Sequence, residues 1–260
     1  MRAIRKFYQL FADKPIHKGI VLNDRYEILS VIGTGSYGIV YSCSDSVTGE
    51  NRVIKQLRPS KRRSKKDVEM FKREISVLRR LNHKNIPKLF EAFSHNGSLF
   101  YVMSFIEGDN IEELIFSRSM TFTEKESLQI LAQLLEFVDY LHTKDIYHQD
   151  LRIPNVLLKN RELYLIDLGL AQSPSRQKDI PEMQRQDYYD LGEILLFLLY
   201  TTYSAKNKKA LPWTEELSLK KETVHLLKRL LGIKEPYSNA QEISINLQSA
   251  LIAKEKPHKT

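Results

Sequence analysis

Five polar residues stand along this 260-residue chain in an order that suits phosphate chemistry: Lys55, Glu74, Asp150, Asn155 and Asp167. Asp150 and Asn155 belong to one run, Tyr147-His148-Gln149-Asp150-Leu151-Arg152-Ile153-Pro154-Asn155. A carboxylate on such a loop can accept the proton of an attacking hydroxyl, and an amide oxygen can ligate a hard divalent cation. Arg152 can neutralise charge on a phosphoryl group in transfer. Asp167, in Ile166-Asp167-Leu168-Gly169, offers a carboxylate to a cation that also holds phosphate oxygens. Upstream, Gly33-Thr34-Gly35-Ser36-Tyr37-Gly38-Ile39-Val40 spaces three glycines as G-x-G-x-x-G. Without a Cβ, backbone N–H groups there can approach phosphate oxygens closely. A β-rich run follows the loop, which makes it a hairpin tip and not the start of a dinucleotide-binding helix, and no Gly-Lys-Ser/Thr ending makes it a P-loop. Lys55 closes the apolar triplet Val53-Ile54-Lys55, where an ammonium is costly unless paired. Glu74 is its expected partner, and the pair would aim the ammonium at phosphates under the glycine loop.

The surrounding elements must hold these groups. Tyr26–Ile32, Ile39–Cys43 and Arg52–Leu57 read as three strands, with Thr48-Gly49-Glu50-Asn51 as a turn. A charged run, Lys61 to Lys66, precedes a helix in which Ser64 and Asp67 have capping-box spacing. Val68, Phe71, Ile75 and Leu78 give that helix one apolar stripe. Leu89–Phe93 and Leu99–Phe105 read as two more strands, and beyond Gly108 the pattern turns mostly helical. Glu124 to His142 is the clearest helix, with Leu128, Leu131, Leu135, Val138 and Leu141 on one face. Val156–Leu158 and Leu163–Ile166 form a short hairpin, Leu191–Tyr200 a buried helix, and Thr223–Leu231 and Gln241–Leu251 two amphipathic helices. Strands first and helices after imply an α+β chain in two lobes. We assign residues 1–24 to a basic extension, 25–106 to a strand-rich lobe and 107–260 to a helix-rich lobe, with the ligand expected in a cleft between them.

Composition narrows the class. Apolar residues make up 42% and charged residues 28%, a soluble globular balance. The one cysteine, Cys43, forbids a disulfide within the chain and fits a reducing, cytoplasmic setting. No apolar run is long enough to span a bilayer. The net charge of +8 favours polyanions in general, and no specific nucleic-acid partner is expected. Ile4, Phe7, Tyr8 and Phe11 fall at helical spacing among Arg2, Arg5 and Lys6, so residues 1–20 could lie on an anionic membrane surface or pack on their own domain.

Taken together and in this order, the motifs resemble the eukaryotic-like (Hanks-type) serine/threonine protein kinase family, as a small divergent bacterial member, from about Tyr26 to Leu251. The resemblance implies a bilobal fold with an antiparallel N-lobe sheet plus one main helix, and a mainly helical C-lobe of reduced size. It implies ATP with Mg²⁺, Mn²⁺ being able to substitute, and a protein acceptor, this chain included. Asp150, Arg152 and Lys55 would be catalytic, and Asn155 and Asp167 would bind metal. Ile32 through Val40, with Val53, Lys55, Glu74, Met103, Ser104, Phe105, Ile106 and Leu157, would bind ATP. His148 and Asp187 would support the catalytic loop, and Leu78, Leu89, His148 and Leu168 would stack as an internal apolar column.

The departures bear on the acceptor. Gln149 stands where many members have an arginine that binds a phosphorylated activation segment, so gating by that modification is not expected. Leu168 replaces the usual phenylalanine, and Val53 the usual alanine. Between Asp167 and Asp187, the expected start of the central helix, no A-P-E stands, Pro181-Glu182 being the nearest echo. Tyr237 occupies the place of that motif's arginine partner, and the helix after the central one looks shortened. Two other readings keep the same residues: a kinase-like small-molecule phosphotransferase, whose relatives usually have a degenerate glycine loop, and an ATP-binding pseudokinase scaffold.

Overall fold

Residues 13–35, 37–204 and 211–255 are described by the computed structural model. The chain divides into two compact units, one ending at Glu107 and the other beginning at Gly108. The amphipathic stripe read at Ile4, Phe7, Tyr8 and Phe11 lies outside the described residues, as does Ser36 of the glycine loop.

The first unit is a six-stranded antiparallel sheet in the order β1-β2-β3-β4-β6-β5. Its strands are β1 (Val21–Leu22), β2 (Tyr26–Thr34), β3 (Gly38–Asp45), β4 (Asn51–Leu57), β5 (Leu89–His95) and β6 (Ser98–Ser104). Phe105, expected in a strand, lies past the end of β6. Pairing sets what each face carries, because residues directly opposite share a face. Ile39 opposes Gln56, Tyr41 opposes Ile54 and Ile54 opposes Val102. That face forms the core with Tyr26, Ile28 and Phe100. The other face carries Val40 opposite Lys55, Lys55 opposite Tyr101, and Val53 opposite Met103. Helix α1 (Lys65–Arg80) packs on this second face, with the Phe71 ring centroid 5.2 Å from that of Tyr101. Ser64 caps it by accepting from the Asp67 amide, as its sequence spacing suggests.

In the second unit, helices α2 (Ile111–Phe116), α3 (Glu124–His142), α4 (Ile180–Tyr200), α5 (Trp213–Glu216), α6 (Lys221–Leu230) and α7 (Ala240–Glu255) surround a three-stranded sheet of β7 (Asp109–Asn110), β8 (Val156–Lys159) and β9 (Glu162–Leu165). Thr123 and Glu126 close a complete capping box on α3. Its predicted apolar face, Leu128 to Leu141, is buried. The β8–β9 turn places both Asn160 and Arg161 at positive φ, 51° and 65°, the backbone of a two-residue hairpin loop.

One expectation is corrected here. The central helix α4 begins at Ile180 and not at Asp187. Pro181 and Glu182 form its first turn, where proline's fixed φ is accommodated and a carboxylate faces the positive end of the helix dipole. The helix is also less enclosed than its apolar sequence suggests, since Glu193 and Phe197 are exposed.

A Cβ on Gly192 in α4 would meet Leu230 Cβ at 2.9 Å and Leu231 Cδ2 at 3.1 Å. Gly192 therefore sets how closely α4 approaches α6. We expect Gly192→Ala to destabilise the protein by ~1–3 kcal/mol, because overpacking outweighs alanine's better helix propensity. Thermal melting checks this, and an unchanged or raised Tm would refute it.

Candidate active site

In the first unit the hairpin β2–β3 turns at the glycine loop, with Gly33 opposite Val40 and Thr34 opposite Ile39. The Gly35 amide donates to the Gly38 carbonyl at 2.9 Å, and Arg58 Nε donates to the Gly35 carbonyl at 2.8 Å. Gly38 has the tightest surroundings of the three loop glycines. A Cβ there would lie 3.2 Å from Lys55 Cε and 3.3 Å from the Gln56 carbonyl.

Lys55 Nζ lies 2.6 Å from Glu74 Oε1, and both residues are buried. The pairing follows from topology: α1 covers the sheet face that carries Lys55, and Glu74 projects toward it. Tyr37 joins the pair. Its hydroxyl donates to Glu74 Oε2 at 3.1 Å and accepts from Lys55 Nζ at 3.4 Å, and the ammonium sits 5.0 Å from the ring centroid. No sequence pattern announces this contact, because only the folded loop brings Tyr37 to the pair.

The expected ATP-binding residues of this unit share that face and its margins. Val40, Val53 and Lys55 lie on neighbouring strands, and Met103 ends the row opposite Val53. Ile32 is exposed on β2. Ser104 closes β6, its amide donating to the Lys88 carbonyl and its hydroxyl accepting the Lys88 amide. Phe105 and Ile106 follow it.

In the second unit the loop from His148 to Asn155 is tied down from the central helix. Asp187, fully buried, accepts the His148 amide at 3.0 Å and the His142 Nε2–H at 2.8 Å through Oδ2. Through Oδ1 it accepts the Gln149 amide at 2.8 Å and the Gln149 side chain at 3.1 Å. The Gln149 side chain also donates to the Met183 carbonyl at 2.9 Å. Gln149 itself sits at φ +64°, an unfavourable conformation that these contacts hold. Burial lowers the His148 pKa, although Asp187, Asp167 and Asp150 pull it up. The neutral imidazole then accepts the Asp150 amide at Nδ1, 3.3 Å away.

Asp150 is left with its carboxylate toward solvent and 3.1 Å from Arg152 Nε. Asn155 Nδ2 donates to the Asp150 carbonyl at 3.1 Å, which leaves Oδ1 as the oxygen that could face a hard cation. The Ile166 amide donates to the Asn155 carbonyl at 3.0 Å, fixing the neighbouring Asp167 against the loop. Asp167 Oδ1 accepts the Gly169 amide at 3.0 Å. No group of three or more His, Cys, Asp or Glu fit for a metal occurs among the described residues. A cation completed by phosphate oxygens needs only one or two protein ligands, and the oxygen pair Asn155–Asp167 suits Mg²⁺.

Leu157 is buried on β8 and Leu168 after β9, while Leu78 and Leu89 belong to the first unit. One further residue is not among those the sequence motifs single out. Asp190, three positions after Asp187 on α4, accepts the Leu151 amide at 3.0 Å and the Gln186 side chain at 2.7 Å. Its spacing from Asp187 on one helix face is the available signal.

Burial pushes the Asp190 carboxyl up to about 6. A carboxyl raised in the folded state binds more protons there than when unfolded. Stability is therefore lost as pH rises from ~4 to ~6 and is flat above. Asp190→Asn should remove that slope, so that between pH 4 and pH 8 the variant gains on its parent by on the order of 2 kcal/mol. Parallel melts across this pH range are the measurement, and identical slopes for variant and parent would refute it.

Comparisons with known proteins identify the family and the fold. The model of the protein kinase domain matches residues 26–232. The chain is 44% identical over 251 residues to the "Probable serine/threonine-protein kinase YbdM" of Bacillus subtilis, covering 96% of this chain and 98% of that protein. It is 31% identical to calcium-dependent protein kinase 4 of Plasmodium falciparum across 73% of this chain, which spans 36% of that longer protein. Among solved structures, the kinase domain of PknI from Mycobacterium tuberculosis aligns with a TM-score of 0.71 at 20% identity, over 91% of this chain and 100% of that one. That likeness shows the bilobal kinase fold.

Proposed function

The chain belongs to the protein kinase family, and from that premise we propose that it transfers the terminal phosphoryl group of ATP to serine or threonine hydroxyls of a protein, itself included. The first unit is the N-lobe and the second the C-lobe. The observation that carries the reading is the clamped loop: Asp187 accepts hydrogen bonds from His148, Gln149 and His142, leaving the Asp150 carboxylate presented beside Arg152. The acceptor class follows the name of the Bacillus relative.

Each side chain then has one task. Asp150 orients the acceptor hydroxyl and takes its proton as the new P–O bond forms. Arg152 faces the charge that builds on the transferred group. Lys55, held by Glu74, positions phosphate oxygens from the N-lobe, and the backbone of the glycine loop covers them. Asn155 and Asp167 would hold Mg²⁺, which would supply neutralisation of the phosphate charge. Val40, Val53 and Met103 supply apolar contacts to the adenine from the N-lobe.

The reading includes activity without a phosphorylated activation segment. The Gln149 side chain is engaged by Met183 and Asp187 and carries no charge to recruit a phosphate. It also includes a cytoplasmic setting, for which the support is that Cys43 is the one cysteine of the sequence and is a free thiol.

With Mg²⁺ and labelled ATP, the purified protein should phosphorylate itself or a basic protein on serine or threonine, read by mass spectrometry. Asp150→Asn should lower kcat by about 10³-fold or more while ATP-induced thermal stabilisation persists. Transfer that survives this substitution would remove Asp150 from its role. Stabilisation by ATP with no transfer in the parent would favour a scaffold, and a small-molecule acceptor far better than any protein would favour the other phosphotransferase reading.

A further inference from the structure

A groove of about 800 Å³ opens in the second unit against the catalytic loop. Its floor is Leu151, Ile153 and Ile194, all buried, and its walls include Tyr189, Phe197 and Trp213. We propose that this groove docks the acceptor polypeptide through one aromatic or large aliphatic side chain flanked by basic residues. The proposal deepens the kinase reading and rests on it for the identity of the occupant.

Continuity with the reacting group comes first. Leu151, Arg152 and Ile153 line the groove, and they follow Asp150 directly in the chain. A polypeptide advances at most ~3.5 Å per residue, so one whose hydroxyl reaches Asp150 passes the groove within its next few residues. The exposure of the walls comes second. Tyr189 is 39%, Phe197 38% and Ile233 58% exposed, and clustered apolar exposure of this kind marks a binding surface.

Charge selects the flanking residues. Glu112 and Glu193, both exposed, are the carboxylates lining the groove among the described residues. Arg152, the basic residue in that lining, is paired with Asp150. The negative field of Glu193 reaches the wall, where it is the main cause of the raised Tyr189 pKa. Basic side chains beside the apolar anchor would meet this field. The chain before the groove is short: residues 168–179 alone join Asp167 to α4, and the Gln172 backbone pairs back to Tyr147.

The experiment uses the full chain and two fluorescein-labelled peptides with a central serine. One has phenylalanine and arginine neighbours, and the other has glycine and glutamate in their places. Anisotropy without nucleotide reads binding, and turnover with Mg²⁺ and ATP reads kcat and KM. The first peptide should bind about tenfold tighter, the value of one well-buried aromatic anchor. Phe197→Ser should erase that preference, raising the peptide KM about tenfold with kcat and the KM for ATP unchanged, and Glu193→Lys should weaken the arginine-bearing peptide selectively. Equal affinity for the two peptides would overturn the proposal, as would a Phe197→Ser protein that melts and discriminates like its parent. A dimer in sedimentation that Phe197→Ser abolishes would overturn it too, by making a second copy the occupant. Selective binding of the first peptide with no transfer to either would defeat the kinase reading and leave the groove's specificity standing.

Discussion

The second unit is organised around one buried carboxylate. Asp187 has no exposed surface, and an isolated charge there would cost several kcal/mol. Its oxygens instead accept four hydrogen bonds, from two loop amides, the Gln149 side chain and His142. The loop thereby gains its shape, since the left-handed backbone at Gln149 would relax without these contacts. The hydrogen bonds of Asp187 and the conformation that presents Asp150 depend on each other. Asp190 extends the hold to Leu151, and the Ile166 amide extends it from Asn155 toward Asp167.

The first unit depends on a second buried charge, held by different means. Lys55 sits on the sheet face opposite the apolar core, and α1 covers that face with the Phe71–Tyr101 contact. The helix that buries the lysine also delivers its counter-ion, Glu74, at 2.6 Å. Gly38 completes the arrangement by sheer closeness, because a side chain there would press on the stem of Lys55. Gly38 thus protects the lysine's position. Tyr37 closes over the pair from the loop.

Much of this is legible in the sequence, for identifiable reasons. Helix α3 can be read at its observed bounds because its apolar period is regular and Thr123 and Glu126 close a capping box. The Ser64 cap and the β8–β9 hairpin are likewise local signals. Asp150 and Asn155 can be read because they fall within one short run of the sequence. The start of α4 is hidden because Pro181 invites a boundary, although proline is well tolerated in a first helical turn. The contacts of Tyr37, Gln149 and Asp190 are invisible because they join residues through tertiary structure. The groove is invisible because the apolar run containing Phe197 reads as the core of an enclosed helix.

The early start of α4 links these hidden features. Residues that a longer connection would use after Asp167 are instead wound into the central helix from Ile180, so little chain remains to build a separate acceptor platform. The place expected for an ion pair is rebuilt as well. Tyr237 is buried beneath Arg229, whose guanidinium lies 3.9 Å from the ring centroid and pairs with Glu242 at 2.7 Å. That stack keeps the region packed without a distant glutamate, because the cation and its counter-ion both lie within the C-terminal helices. With the far end stabilised internally, the outer face of α4 has no structural duty that would require its cover. Tyr189 and Phe197 stay more than a third exposed there, a solvation cost that the edge-on contact of Phe197 with Phe116 offsets only in part. Burial against a bound polypeptide would recover that cost, and it would do so beside the loop that Asp187 holds in place.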